Sequence, residues 1–119
     1  MTTLLTNDGI QHCLREYARG AILGDSALMR AVMHPDAQIY GYLDGALFAG
    51  PMALLYDYVD EHEDAPQLNW ETTRVDESNG VATARVAISN WHGYDFVDYF
   101  TLLKFEGEWR ITNKVFSQA

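Results

Sequence analysis

Apolar residues keep a helical period up to Pro35, and from Ala37 onward the period is mostly that of strands. That switch restricts the fold more than any motif in the chain. Ile10, Leu14, Tyr17 and Ala21 recur at i, i+4, i+7 and i+11 with Cys13 beside them, so one apolar stripe marks a first helix. Thr6, Asn7 and Asp8 supply its N-cap chemistry and Gly24 its stop. A second, shorter helix is expected from the Asp25-Ser26 cap through Leu28, Met29, Val32 and Met33, ended by Pro35. Ala37 to Leu43 and Leu47 to Ala49 read as two strands joined across Asp44-Gly45, a hairpin signal. Pro51 then suits a helix's first turn, and Met52, Leu55, Tyr56 and Val59 space a third helix that runs out in the acidic stretch Asp60 to Asp64.

The remaining half is β. Strands are expected over Leu68 to Asp76, Val81 to Trp91, Phe96 to Phe105 and Trp109 to Phe116. Turns fall at Ser78-Asn79-Gly80, near His92-Gly93 and at Glu106-Gly107. The order α-α-β-β-α-β-β-β-β predicts an α+β fold, with three helices packed on a strongly curved, mostly antiparallel sheet. At 119 residues the whole chain is expected to be one domain.

Charge narrows the partners. Eight Lys and Arg against seventeen Asp and Glu leave a formal charge of −9, which repels phosphate backbones and anionic lipid. Nucleic acid and membrane are therefore not expected partners. The single cysteine excludes an intrachain disulfide and a cysteine-rich metal cage. No apolar run reaches the ~20 residues of a membrane span. The N-terminus lacks a basic n-region and a clean apolar core, so the protein is expected in the cytoplasm.

Hairpin registers pick out the polar residues of the interior. With a two-residue turn at Glu106-Gly107, Phe100 pairs with Asn113 and Leu102 with Ile111. One face then carries Phe96, Asp98, Phe100, Leu102, Trp109, Ile111, Asn113 and Val115, and the other Tyr99, Thr101, Leu103, Arg110, Thr112 and Lys114. A three-residue loop His92 to Tyr94 is preferred before it. That loop places Ala84, Val86, Ile88 and Asn90 inside, whereas a two-residue loop would bury Arg85 and Ser89. A bulge in strands this long would invert a segment. The inner face is thus apolar except for Asp98, Asn113 and Asn90, which describes a small-molecule pocket with a few polar groups. The outer face (Thr83, Ala87, Ser89, Trp91, Val97, Tyr99, Thr101 and Leu103) is semi-apolar and is expected to bury itself in a homodimer.

This pattern resembles the nuclear-transport-factor-2-like superfamily, with its cone-shaped α+β barrel. The residues that carry the likeness are Gly24-Asp25-Ser26, His34-Pro35-Asp36-Ala37, Ile39-Tyr40-Gly41, Trp91-His92-Gly93, Asp98-Tyr99-Phe100-Thr101 and Gly107-Glu108-Trp109-Arg110-Ile111. Within it the chain is most similar to small bacterial proteins grouped as lumazine-binding or polyketide-cyclase-like. The scaffold hosts isomerases, dehydratases, cyclases and plain binding modules. Its ketosteroid-isomerase branch uses a first-helix tyrosine, an aspartate base and a protonated aspartic acid. By resemblance Tyr17 matches the tyrosine and Asp98 the second acid, but the base position falls on Gly41. That departure argues against the branch's proton shuttle.

Three functions follow as expectations. The first is a homodimeric binder of a small hydrophobic or aromatic molecule, held by Tyr17, Tyr40, Asn90, Asp98, Phe100, Trp109 and Asn113. The second is an acid–base enzyme of the isomerase, dehydratase or cyclase kind, with Asp98 or His92 as catalyst and Tyr17 as oxyanion donor. The third is a dimerisation module whose cone is filled by its own side chains. No cofactor is implied. His34 with Asp36, and His12 with Glu16, lack the further ligands that a metal site needs. Cys13, on the apolar side of the first helix, reads as a small hydrophobe.

Overall fold

Four two-residue turns organise the sheet. Asp44-Gly45, Asn79-Gly80, His92-Gly93 and Glu106-Gly107 all have positive φ at both positions. This is the type I′ geometry whose twist matches that of the flanking strands. Asp, Asn, His and Gly adopt that region readily, whereas Glu106 at φ 48° does so at some cost. The computed structural model describes residues 8–119, together with the backbone of a two-residue strand at Thr2–Thr3. The cap chemistry expected of Thr6 and Asn7 lies outside the described residues.

In chain order the elements are β1 (Thr2–Thr3), α1 (Asp8–Leu23), α2 (Ser26–Arg30), β2 (Met33–Leu43), β3 (Ala46–Pro51) and α3 (Ala53–Glu61). Four long strands follow: β4 (Asn69–Ser78), β5 (Val81–Trp91), β6 (Tyr94–Phe105) and β7 (Glu108–Gln118). They form one sheet in the order β1-β4-β5-β6-β7-β2-β3, antiparallel throughout except for the parallel pair β2–β7. The sheet does not close on itself. Three helices and one curved, mostly antiparallel sheet make the α+β cone. Among the described residues no helix is long and apolar enough to cross a membrane.

The helices form where the periodicity places them. Gly24 sits at φ 68° and ends α1, and the Asp25 carboxylate caps α2 by accepting from the Ala27 N–H at 3.0 Å. α2 is shorter than expected: the chain is already extended at Met33, so Val32 and Met33 belong to the entry into β2. Pro51 ends the edge strand β3 and does not open the helix, since an edge position tolerates its missing N–H. The acidic stretch after α3 is exposed, but Asp60 is tied down, accepting from the Ser26 hydroxyl at 2.9 Å.

Bulges decide which residues face inward. The turn at His92-Gly93 has two residues, not three, with Trp91 opposite Tyr94. A bulge between Ile88 and Trp91, where Asn90 takes φ 58°, then restores the parity of the strand. Ala84, Val86 and Ile88 are buried as expected, while Asn90 is exposed and Trp91 turns inward. In β7 the expected pairing of Leu102 with Ile111 holds, but Thr112 is an extra residue. Phe100 therefore pairs with Lys114, and Thr101 with Asn113. This corrects the expected register beyond Thr112: Lys114 and Phe116 point into the cone, and Val115 points out.

Candidate active site

The interior under α1 is filled by the chain's own side chains. Ile10, Leu14, Tyr17, Met29, Phe100, Leu102 and Ile111 are fully buried. Phe100 meets Tyr17 edge to face at 5.0 Å, and Trp109 packs beneath the start of α1, its carbonyl accepting from the Cys13 thiol at 3.3 Å. Burial pushes that thiol up to about 11, as suits a small hydrophobe. Space remains toward the wide end. A cleft with about 40 Å³ of free volume is walled by Ile39 and Leu43 of β2, Phe48 of β3, Leu55 and Tyr58 of α3, Trp91, Tyr94 and Phe96 at the β5–β6 hairpin, and Lys114 and Phe116 of β7. That volume admits a few waters or the head of a small molecule, far short of the roughly 300 Å³ of a drug-sized site.

Lys114 is the one charged residue in that wall. Its side chain is 4% exposed, and its ammonium donates to the Tyr17 hydroxyl. Nζ lies 3.3 Å from Oδ2 of Asp98, which is completely buried. It also lies 5.0, 5.4 and 5.5 Å from the ring centres of Tyr17, Phe116 and Trp91. The ammonium thus occupies an aromatic box with a single carboxylate beside it. Among the described residues Lys114 is the one charged group beside Asp98, and no other side chain hydrogen-bonds its oxygens.

Removal from water governs the protons here. Burial raises the Asp98 carboxyl above its ordinary value, against the pull of Lys114. Burial also lowers the Lys114 amine, against the pull of Asp98. The Tyr17 phenol is raised well above its ordinary value by burial, and secondarily by Asp98 and Tyr56. Two opposite charges in a dry site whose proton affinities approach each other share one proton readily.

The expected site residues divide accordingly. Tyr17, Asp98 and Phe100 come together around Lys114, though Tyr17 and Asp98 stand behind it and do not form the cleft wall. Trp109 is buried away from the cleft. Asn113 lies on the other side of the sheet from Lys114, and its side-chain oxygen accepts from the Gln38 N–H at 3.0 Å. Tyr40 is 45% exposed on the outer face, and Asn90 is an exposed bulge residue. His92 is an exposed turn residue whose ring nitrogen meets the Asp64 carbonyl at 3.1 Å, outside the cleft wall. Lys114 escaped the sequence reading because it was assigned to the outer face. The odd spacing from Ile111 to Phe116, both strongly apolar, is the signal that would have revealed the inversion. Among the described residues no three His, Cys, Asp or Glu converge as metal ligands.

Gly41 faces Phe116 so closely that a Cβ there would lie 2.4–2.6 Å from three ring atoms. The space that a side chain at position 41 would enter is therefore occupied by an aromatic ring.

A curved sheet wrapped on three helices, with a cleft at its wide end, defines a nuclear-transport-factor-2-like, cystatin-like α+β protein. The chain belongs to the family described as "Putative lumazine-binding", which it matches over residues 6–117. It is similar to a nuclear-transport-factor-2-like protein of unknown function from Methylobacillus flagellatus KT, at 40% identity with a TM-score of 0.91, covering 94% of this chain and 90% of that one. A second such structure, from Shewanella baltica OS155, is 31% identical with a TM-score of 0.88 over 93% of this chain and 91% of its own. A relative from Cladobotryum sp., named aldolase FrzH, is 26% identical over 101 residues, 84% of this chain and 81% of that protein.

Proposed function

We propose that this protein is a small-molecule enzyme of carbonyl chemistry. It takes the head of a small apolar or aromatic aldehyde or ketone into the cleft and moves a proton at the carbon beside the carbonyl. The observation that carries this reading is Lys114: a buried cation in the wall of an otherwise apolar cleft, with its nitrogen 3.3 Å from a fully buried carboxylate. Keeping such a pair dry costs stability that packing alone does not require, whereas a titratable pair at a cleft floor suits acid–base work. Lys114 meets the substrate. Asp98 stores or takes up its proton, and the Tyr17 hydroxyl holds the nitrogen in place. The name of the Cladobotryum relative supports this class, because an aldol reaction also begins by removing a proton beside a carbonyl. The aromatic wall of Phe48, Tyr58, Trp91, Tyr94 and Phe96 favours a flat or apolar substituent.

The same reading includes a homodimer. Ala49, Tyr40, Val115, Tyr99 and Arg85 are successive register partners across the outer face. Tyr40, Tyr42, Leu47, Tyr99 and Val115 are 45–64% exposed there. On a chain of net charge −9 this mostly apolar patch is a face by which a second copy can approach.

The test is deuterium uptake at the carbon beside the carbonyl of phenylacetaldehyde in heavy water, followed by NMR. The protein should accelerate exchange over buffer, and Lys114→Met should abolish the acceleration while circular dichroism shows it folded. Exchange no faster than buffer would count against the reading.

A further inference from the structure

We propose that Lys114 acts as a nucleophile, forming an imine with the carbonyl carbon of a small aldehyde or ketone that descends the cleft. This rests on the carbonyl reading above and specifies how the same site would run it.

The geometry leaves a carbonyl little else to meet. Every other wall residue is aliphatic or aromatic, and Lys114 alone presents an amine. A lysine amine attacks only when unprotonated, and burial away from water disfavours the ammonium, against the stabilisation it receives from three ring faces and the Asp98 carboxylate. Moving one proton from Nζ to Asp98, across the 3.3 Å contact, converts two buried charges into a neutral amine and a carboxylic acid. The Tyr17 hydroxyl, which accepts from the amine, fixes its position.

The step balances within these groups. The nitrogen lone pair forms the C–N bond as the carbonyl π pair moves onto oxygen, and a proton passes from nitrogen to that oxygen. Asp98 then gives up the proton it took from Lys114, and the hydroxyl departs as water while the C=N bond forms. An iminium now faces the Asp98 carboxylate, the same pair of charges with which the site began. Transfer of the neighbouring C–H proton to that carboxylate yields a neutral enamine, the nucleophile that isomerisation or carbon–carbon bond formation needs. Asp98, which exchanges protons with the reacting atoms, is a catalytic residue in this scheme, and Tyr17, which acts through Lys114, is a positioning residue.

The chain has only two lysines, Lys104 and Lys114, so the test is selective by construction. The protein is incubated at neutral pH with phenylacetaldehyde and cyanoborohydride, digested, and the modified peptides are read by mass spectrometry. A reduced imine adds the mass of the aldehyde less one oxygen atom. Lys114 should be labelled faster than exposed Lys104, since burial lowers its amine and raises the unprotonated share at neutral pH. Lys104→Arg should keep the Lys114 label, which guards against reliance on a Lys114 variant that fails to fold. Label at Lys104 or the N-terminus with Lys114 clean would overturn the proposal. Pairing the result with deuterium exchange on the same aldehyde separates the two readings. Exchange without trapping would leave the carbonyl reading standing and remove the imine. Trapping without exchange would support the imine and remove the proton transfer at carbon. Neither result would remove both.

Discussion

Lys114 and Asp98 are diagonal neighbours on β7 and β6: Lys114 pairs directly with Phe100, Asp98 with Phe116, and the two charged groups meet at 3.3 Å between them. Both are sealed from water, and among the described residues Lys114 is the one charged group beside Asp98 to offset its desolvation. Removing one partner leaves the other charge buried alone. Asp98→Leu and Lys114→Met should each destabilise the fold by about 3–5 kcal/mol, and the double variant should recover most of that loss. Urea midpoints of the four proteins measure this directly. Strictly additive losses would mean that the two groups do not act as a pair.

The pair also sets a pH signature. Asp98 is raised above 3.8, so the folded protein keeps that proton longer than the unfolded chain does. Its contribution is full below 3.8 and fades as pH climbs through the raised value. Lys114 is lowered below 10.5, so the folded protein releases that proton first, and stability rises with pH from the lowered value up to 10.5. The stability of the wild type minus that of the Asp98→Leu, Lys114→Met variant should therefore fall on leaving acid and climb again toward alkaline pH. Tyr17, present in both proteins, resists ionisation when folded and pulls both curves down above about pH 10. A flat difference curve would contradict the buried titrating pair.

Gly41 is held small by Phe116. Gly41→Ala should cost about 1–3 kcal/mol through overpacking, and Gly41→Asp should cost more because its carboxylate enters an apolar site. Shrinking the ring removes the clash, so Gly41→Ala with Phe116→Ala should lose less than the sum of the single losses. Thermal unfolding of the three variants gives the coupling. Introducing a carboxylate at this position is thus not expected to yield a folded acid–base site without rebuilding the wall.

Tyr99 and Val115 are register partners on the outer face, 51% and 49% exposed. Light scattering after size exclusion should find the wild type at twice the chain mass. Tyr99→Asp with Val115→Asp should run at the chain mass with an unchanged circular dichroism spectrum, since both side chains already face solvent in one copy. A wild type that runs as a monomer at high concentration would remove the homodimer.

The sequence by itself determined the order of the elements from α1 onward, but not the short strand β1, which forms only by pairing with distant β4. Helical spacing in α1, the Asp25 cap, the Gly24 stop and three of the four hairpin turns are local chemistry, and each is where the residues place it. It also determined that Asp98, Phe100 and Leu102 share the inner face, because β6 runs without an extra residue of its own. What lies opposite them was decided by the tertiary structure alone. A strand's alternation carries information only while the ladder is unbroken, and the extra residue at Thr112 reversed everything beyond it. That reversal is favoured by distant contacts that no local pattern contains. Phe116 packs on Phe48 and Phe96 and fills the space that Gly41 leaves. Lys114 reaches a tyrosine 97 residues earlier in the chain. The cleft and its one charged residue exist because those long-range contacts outweigh the cost of the bulge.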